Sequence, residues 1–335
     1  MSDVGHSQSD SDHPRHDHTH GTIDPALLAT GRGIWAVKWS LIGLAATAAF
    51  QVVIVFFSGS VALLADTIHN IADMATAIPL WIAFTLARRQ PSRRFTYGYG
   101  RVEDVAGIVI VLTILFSALV VGYESIYRLR NPQPVDHLWA VVLAAIIGFA
   151  GNESVAMFRI RVGKQINSAA LVADGYHARV DGLTSLAVLF SAVGVWLGYP
   201  MADPMVSLVI TVAILAIIWE SGKAVFTRLL DGVDPDVTDE ITHAMNHAQG
   251  VHSVTEVRLR WSGHRLHAEV NLAVDPKLSV AEGHAVAMEA RHQLLHHLPY
   301  LSYVTIHVDP QNLSGEEHHR ITEHAHGDFS IHSHR

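Results

Sequence analysis

The sequence predicts an α-helical membrane protein with six transmembrane helices and a small C-terminal α+β domain of order αββαβ. Half of the 335 residues are hydrophobic and only 16% are charged, with a mean hydropathy of +0.26, too apolar for a soluble chain of this length. Apolar runs long enough to cross a hydrocarbon core of about 30 Å recur between residues 34 and 226. From about Leu230 the pattern becomes that of a small mixed domain.

Residues 1–30 form a polar tail carrying His6, His13, His16, His18 and His20 among Ser, Asp and Pro. They have too little apolar surface to order themselves, and the H-x-H-x-H run suits low-affinity capture of divalent metal. No apolar core followed by a small-residue cleavage site precedes the first span, so no cleaved secretory signal is expected.

The spans fall at about 34–57, 61–87, 104–127, 137–158, 169–197 and 204–226, within a transport domain of residues 31–228. The connection after the second carries Arg88, Arg89, Arg93, Arg94 and Arg101, and that after the fourth Arg159, Arg161 and Lys164. Those after the first and fifth carry none, and the third is followed by Arg128 and Arg130. Basic residues collect on the cytoplasmic side, so both termini are expected there.

Residues 229–310 read as the second domain. Asp236 to Gln249 is helical, and Val254–Trp261 and Leu266–Val274 alternate as strands around a Ser262-Gly263 turn. Ser279–His297 is an amphipathic helix and Ser302–Val308 a last strand. Residues 311–335 return to a polar tail with His318, His319, His324, His326, His332 and His334. Cysteine is absent, which excludes disulfides and thiolate ligands and leaves His, Asp and Glu for metal. The charge balance does not suggest nucleic acid, and no organic cofactor motif is present.

The chemistry sits in ADTIHNIAD, Ala65–Asp73, inside the second span. Asp66, His69 and Asp73 share one helix face, a stripe roughly 60° wide. ADGYHARVD, Ala173–Asp181, repeats the pattern with Asp174, His177 and Asp181, each 108 positions later. Ionisable residues at bilayer depth are expensive and mark functional cavities. Two such helices offer two imidazoles and two carboxylates, a tetrahedral set suited to zinc. His69, Asp73, His177 and Asp181 are the expected ligands. Asp66 and Asp174, one turn earlier, are placed to accept the free imidazole N–H. One divalent metal with two aspartates is neutral, as are two protonated histidines with the same aspartates, so exchange of metal for protons preserves charge. Asn152 and Glu153 read as packing or pathway residues. Glu103 and Asp104 read as solvated charges at a helix end, and His252, His264 and His267 as surface histidines, of which His267 could also substitute as a metal ligand.

These residues resemble the cation diffusion facilitators. The resemblance covers about residues 33–310 and is carried by SVALLADTIHNIAD, RRFTYGYGRVED, SAALVADGYHARVDGLTS, the ADP at Ala202–Pro204, LLDGVDP at Leu229–Pro235 and VTIHVDP at Val304–Pro310. It implies a homodimeric multi-pass exporter in an inner or organelle membrane, exchanging divalent metal for protons by alternating access. The C-terminal domain it implies is cytoplasmic and metallochaperone-like. It implies a transport site at His69, Asp73, His177 and Asp181, with zinc favoured and cadmium or cobalt accepted by the same ligands. It also implies a charge interlock between Arg101 and Asp231, and a cytoplasmic metal cluster at His284, His307 and Asp309 with Glu269 where a histidine often stands. FTYGYG lacks the His and Asp that hold a further metal in some members. A metalloenzyme, a metal-gated channel and a metal sensor are the rival classes. The enzyme lacks HExxH, and four protein ligands leave zinc no open position for water.

Overall fold

The computed structural model describes residues 25–58, 67, 71, 74, 77–130, 138–199 and 201–315. In chain order the helices of the first part are α1 (Pro25–Ser58), α2 (Ala77–Ala87), α3 (Arg101–Arg130), α4 (Leu138–Gln165), α5 (Ala169–Trp196) and α6 (Ala202–Leu229). Among the described residues five of these are long and apolar enough to cross a membrane. Helix α2 is the last part of the expected second span. Phe56, Phe116, Val212 and Trp219 stand exposed on the outer faces. An apolar outer surface with an apolar core beneath it suits hydrocarbon as solvent.

Two boundaries differ from expectation. Helix α1 begins at Pro25, so residues 25–30 are helical rather than tail; proline suits the first helical turn, where its missing N–H has no partner to lose. Helix α4 continues to Gln165, so Arg159, Arg161 and Lys164 belong to the helix and not to a connection. The turn into α5 is tight. Asn167 adopts a left-handed φ of 55°, and the Ser168 side chain caps α5 by accepting from Leu171 N at 3.0 Å.

The 108-residue repeat extends beyond the motifs. Helices α1 and α4 pack together. A Cβ at Gly43 would meet Val155 Cγ2 at 3.2 Å, while one at Gly151 would run into Thr47 Oγ1. Gly151 and Val155 lie 108 positions after Gly43 and Thr47. The two contacts run in opposite directions along the chain, so the helices cross antiparallel about a local two-fold, the arrangement of an inverted repeat.

The second part holds α7 (Pro235–Asn246), β1 (Ser253–Ser262), β2 (Arg265–Val274), α8 (Val280–His297) and β3 (Leu301–Pro310), the expected αββαβ order. The sheet order is β1-β2-β3, with β1 antiparallel and β3 parallel to β2. Alternation on β2 sends Ala268, Val270 and Leu272 into a core with Ile241, Met245, Ala290 and Leu294 from the two helices. Helix α8 opens with a reciprocal capping box between Ser279 and Glu282.

Candidate metal transport site

The second copy of the motif lies on α5. His177 is 1% exposed and Asp174 fully buried. The His177 Nε2 and Asp181 Oδ2 atoms, one turn apart, are separated by 4.0 Å, and the Asp181 side chain is 12% exposed. The imidazole and carboxylate therefore face a common space, and Asp181 is the more accessible of the two. The first copy, Asp66, His69 and Asp73, lies outside the described residues.

Asp174 is engaged by a different partner from the one expected. Arg159 Nη1 of α4 pairs with Asp174 Oδ2 at 3.0 Å, both side chains being buried, and also donates to the Asp174 carbonyl at 3.4 Å. A carboxylate in a low-dielectric interior needs a counter-charge, and a guanidinium supplies one together with hydrogen bonds. Gly175 makes the approach possible, since a Cβ there would lie 2.9 Å from Ile160 N. A second pair links the same helices: Arg179 donates to Glu153 through Nη2 at 2.7 Å and Nε at 3.2 Å. Glu153 is thus an ion-pair partner, and Asn152 is buried beside Gly182. Both pairs follow from the hairpin. Arg159 and Asp174 are equally far from the Ile166–Asn167 turn, and Glu153 and Arg179 nearly so.

Below the bundle, Arg101 and Asp231 are paired, and Arg101 Nη1 donates to the Leu229 carbonyl at 3.2 Å. Close by, three residues depart from their sequence reading. Glu103, Asp104 and His264 are not surface groups: they are 1%, 5% and 3% exposed. His264 Nδ1 donates to Glu103 Oε2 at 2.7 Å, and Asp104 Oδ2 accepts from Gly263 N at 3.1 Å. A carboxylate pair at a helix start is ordinarily solvated; here the β1–β2 turn covers it. His267 is half-buried between Tyr97 and Tyr303. Burial lowers its pKa from the ordinary histidine value, and Arg260, Arg265 and Arg101 act in the same direction.

The residues expected to hold metal in the C-terminal domain do not assemble as a set. His307 Nε2 lies 2.9 Å from Asp309 Oδ1, but Glu269 is 3.9 Å from Arg260. Strand alternation and register put Glu269, His307 and Asp309 on the sheet face turned away from α8, which carries His284. Among the described residues no three His, Asp or Glu side chains are grouped to hold a metal ion.

Residues 37–230 match the family described as "Cation efflux transmembrane domain", and residues 233–311 match "Cation efflux protein, cytoplasmic domain". The chain belongs to the cation efflux family, the cation diffusion facilitators. It is 55% identical over 289 residues to "Probable cation efflux system protein Rv2025c" of Mycobacterium tuberculosis, covering 86% of this chain and 87% of that one. Magnetosome protein MamB of Magnetospira sp. is 29% identical over 77% of this chain and 88% of its own. Manganese efflux system protein MneP of Bacillus subtilis is 26% identical over 84% and 99%. As a member of this family the chain is an integral multi-pass membrane protein and a transporter of metal cations.

Sequence reasoning missed Arg159, Glu103 and His264 as structural partners. For Arg159 a signal existed, because a buried aspartate on one arm of a helical hairpin calls for a cation at the mirrored position on the other. For Glu103 and His264, which are 161 positions apart, local sequence offered none.

Proposed function

We propose that the chain exports divalent metal from the cytosol in exchange for protons, as a homodimer with both termini cytoplasmic, working by alternating access. Zinc is the preferred cargo, with cadmium and cobalt accepted by the same ligands. His69 and Asp73 on the second span and His177 and Asp181 on α5 bind the ion together. The observation that carries this reading is the repeated D-x-x-H-x-x-x-D motif, whose second copy has its imidazole and carboxylate side by side on a buried helix face. Two nitrogen and two oxygen donors favour a borderline cation over manganese, which prefers an all-oxygen set.

Protons take the place of the metal on the same groups. With the metal gone, one proton on each imidazole replaces the two positive charges the metal carried, and the site keeps its charge. Asp174 stands outside this exchange, its charge already balanced by Arg159. Arg101 and Asp231 act as the interlock between bundle and domain, and paired C-terminal domains join the two protomers. His307 and Asp309 are the residues there that a metal would meet first.

Proteoliposomes with an imposed pH gradient test the reading across zinc, cadmium, cobalt, manganese and iron. The expected result is zinc flux that follows the gradient, moves protons the opposite way and vanishes in Asp181→Ala. Metal flux that ignores the gradient would remove the antiport, and a manganese preference would overturn the cargo assignment.

A further inference from the structure

A hairpin turn usually stands in solvent at the surface, yet the Ser262–Gly263–His264 turn between β1 and β2 is buried among the ends of four helices. His264 Nε2 meets the Thr30 hydroxyl of α1 at 3.0 Å, and its ring centroid lies 6.0 Å from that of Phe84 on α2. Its Nδ1 and backbone N–H both donate to Glu103 of α3, and Gly263 N–H donates to Asp104 on the same helix. From α6, Arg228 Nη1 donates to the Gly263 carbonyl at 3.3 Å, and its guanidinium stacks on Trp261 at 4.4 Å. Arg265 Nη2 donates to the carbonyl of Ala87, the last residue of α2.

The fit is as close as backbone allows. Gly263 has a left-handed φ of 61°, and a Cβ there would lie 2.6 Å from Glu103 Oε2 and 2.7 Å from the Gly100 carbonyl. The turn thus ties the ends of α1, α2, α3 and α6 together. Beneath it the chain is apolar, with Phe84, Ala106 and Ala170 in one buried cluster. A transporter that opens alternately at its two ends must part helices at this end, and a turn bound to four helix ends at once holds them together.

We propose that the β1–β2 turn is a removable wedge that closes the domain end of the bundle, with Glu103 and His264 as the positioning residues that seat it. The inference rests on the transporter reading for its purpose, since movement of the C-terminal domain then opens or shuts one route to the transport site. The charged groups around the imidazole are Glu103 and Asp104 from α3 and Arg228 from α6. The Thr30 hydroxyl can donate or accept, so the seat holds with the ring neutral or protonated.

The chain has no cysteine, so single reporter thiols are clean. Ala106→Cys sits beneath the wedge, and Ala192→Cys, also buried, lies near the far end of α5. Labelling by a membrane-impermeant thiol reagent is followed in nanodiscs holding the full chain. Ala106→Cys is expected to label slowly, and about tenfold faster when combined with His264→Ala or Gly263→Val. His264→Gln, which keeps one donor and one acceptor, is expected to leave it slow, and Ala192→Cys should stay protected throughout. Unchanged labelling in both His264→Ala and Gly263→Val overturns the wedge. So does a rise at both reporters, which signals general loosening. The readout needs no metal movement, so a chain that labels as expected but transports nothing sinks the transporter reading and leaves the wedge as a lock between domains.

Discussion

At the scale of single residues, Arg159 and Asp174 make the sharpest case. Removing one partner of a buried ion pair strands the other's charge, at about 3–5 kcal/mol, whereas removing both is far milder. Arg159→Gln is therefore expected to lower thermal stability sharply, and the double variant Arg159→Gln with Asp174→Asn to recover most of it. If the double variant instead melts as low as the single one, Asp174 has a need for charge beyond Arg159. His267 gives a pH prediction. Its folded pKa is lowered by burial and nearby arginines, so below about pH 6.5 the unfolded chain binds the proton more readily. This contribution to stability is whole above that pH and is lost as pH falls through the folded pKa. Protection factors of the sheet amides, which allow for the slower intrinsic exchange in acid, should fall on acidification, and fall less in His267→Gln. An equal fall in the two proteins would assign the effect elsewhere.

Elements impose their own constraint through close packing. Helices α1 and α4 meet where a side chain at Gly151 would run into Thr47. Gly151→Ala is expected to destabilise the bundle by roughly 1–3 kcal/mol by overpacking, and Thr47→Ala to relieve part of the loss. A thermal shift assay on the two single variants and the double reads this; losses that simply add would mean the helices do not touch there. The α4–α5 hairpin shows how far an element can be read from sequence. Ser168 caps α5 as its residue type suggests, and the turn at Ile166–Asn167 fixes which residues of the two arms face each other. Span lengths were legible, but the end of α4 was not, because Arg159 reads as an end signal until its buried partner is known. The αββαβ order was plain throughout, since strand alternation and the α8 capping box are local patterns.

Over the whole molecule, the duplicated motif was visible from spacing alone, and the family resemblance read from the sequence agrees with the matches over residues 37–230 and 233–311. Contacts between distant parts of the chain were not visible. Glu103 and His264 each look like an ordinary polar residue near the end of an element, and only the docking of one domain on the other buries them together. Glu269, His284, His307 and Asp309 do not come together within one chain for a related reason: register and layer order decide which side of a sheet a side chain occupies. The offset of 108 that relates Asp66 to Asp174 also relates Gly43 and Thr47 to Gly151 and Val155. The two halves of the bundle thus share one plan, and the consequence proposed for it is a single ion held between them.

That consequence is open to one direct measurement, equilibrium binding of zinc to the full chain in detergent, comparing wild type with Asp73→Ala, Asp181→Ala and the two combined. Above the background of the His-rich tails, each single variant should lose the same one tight site per chain, and the combination should lose nothing further. If each variant removes a separate site and the losses add, the two motifs do not share an ion, and the transport site proposed here is wrong.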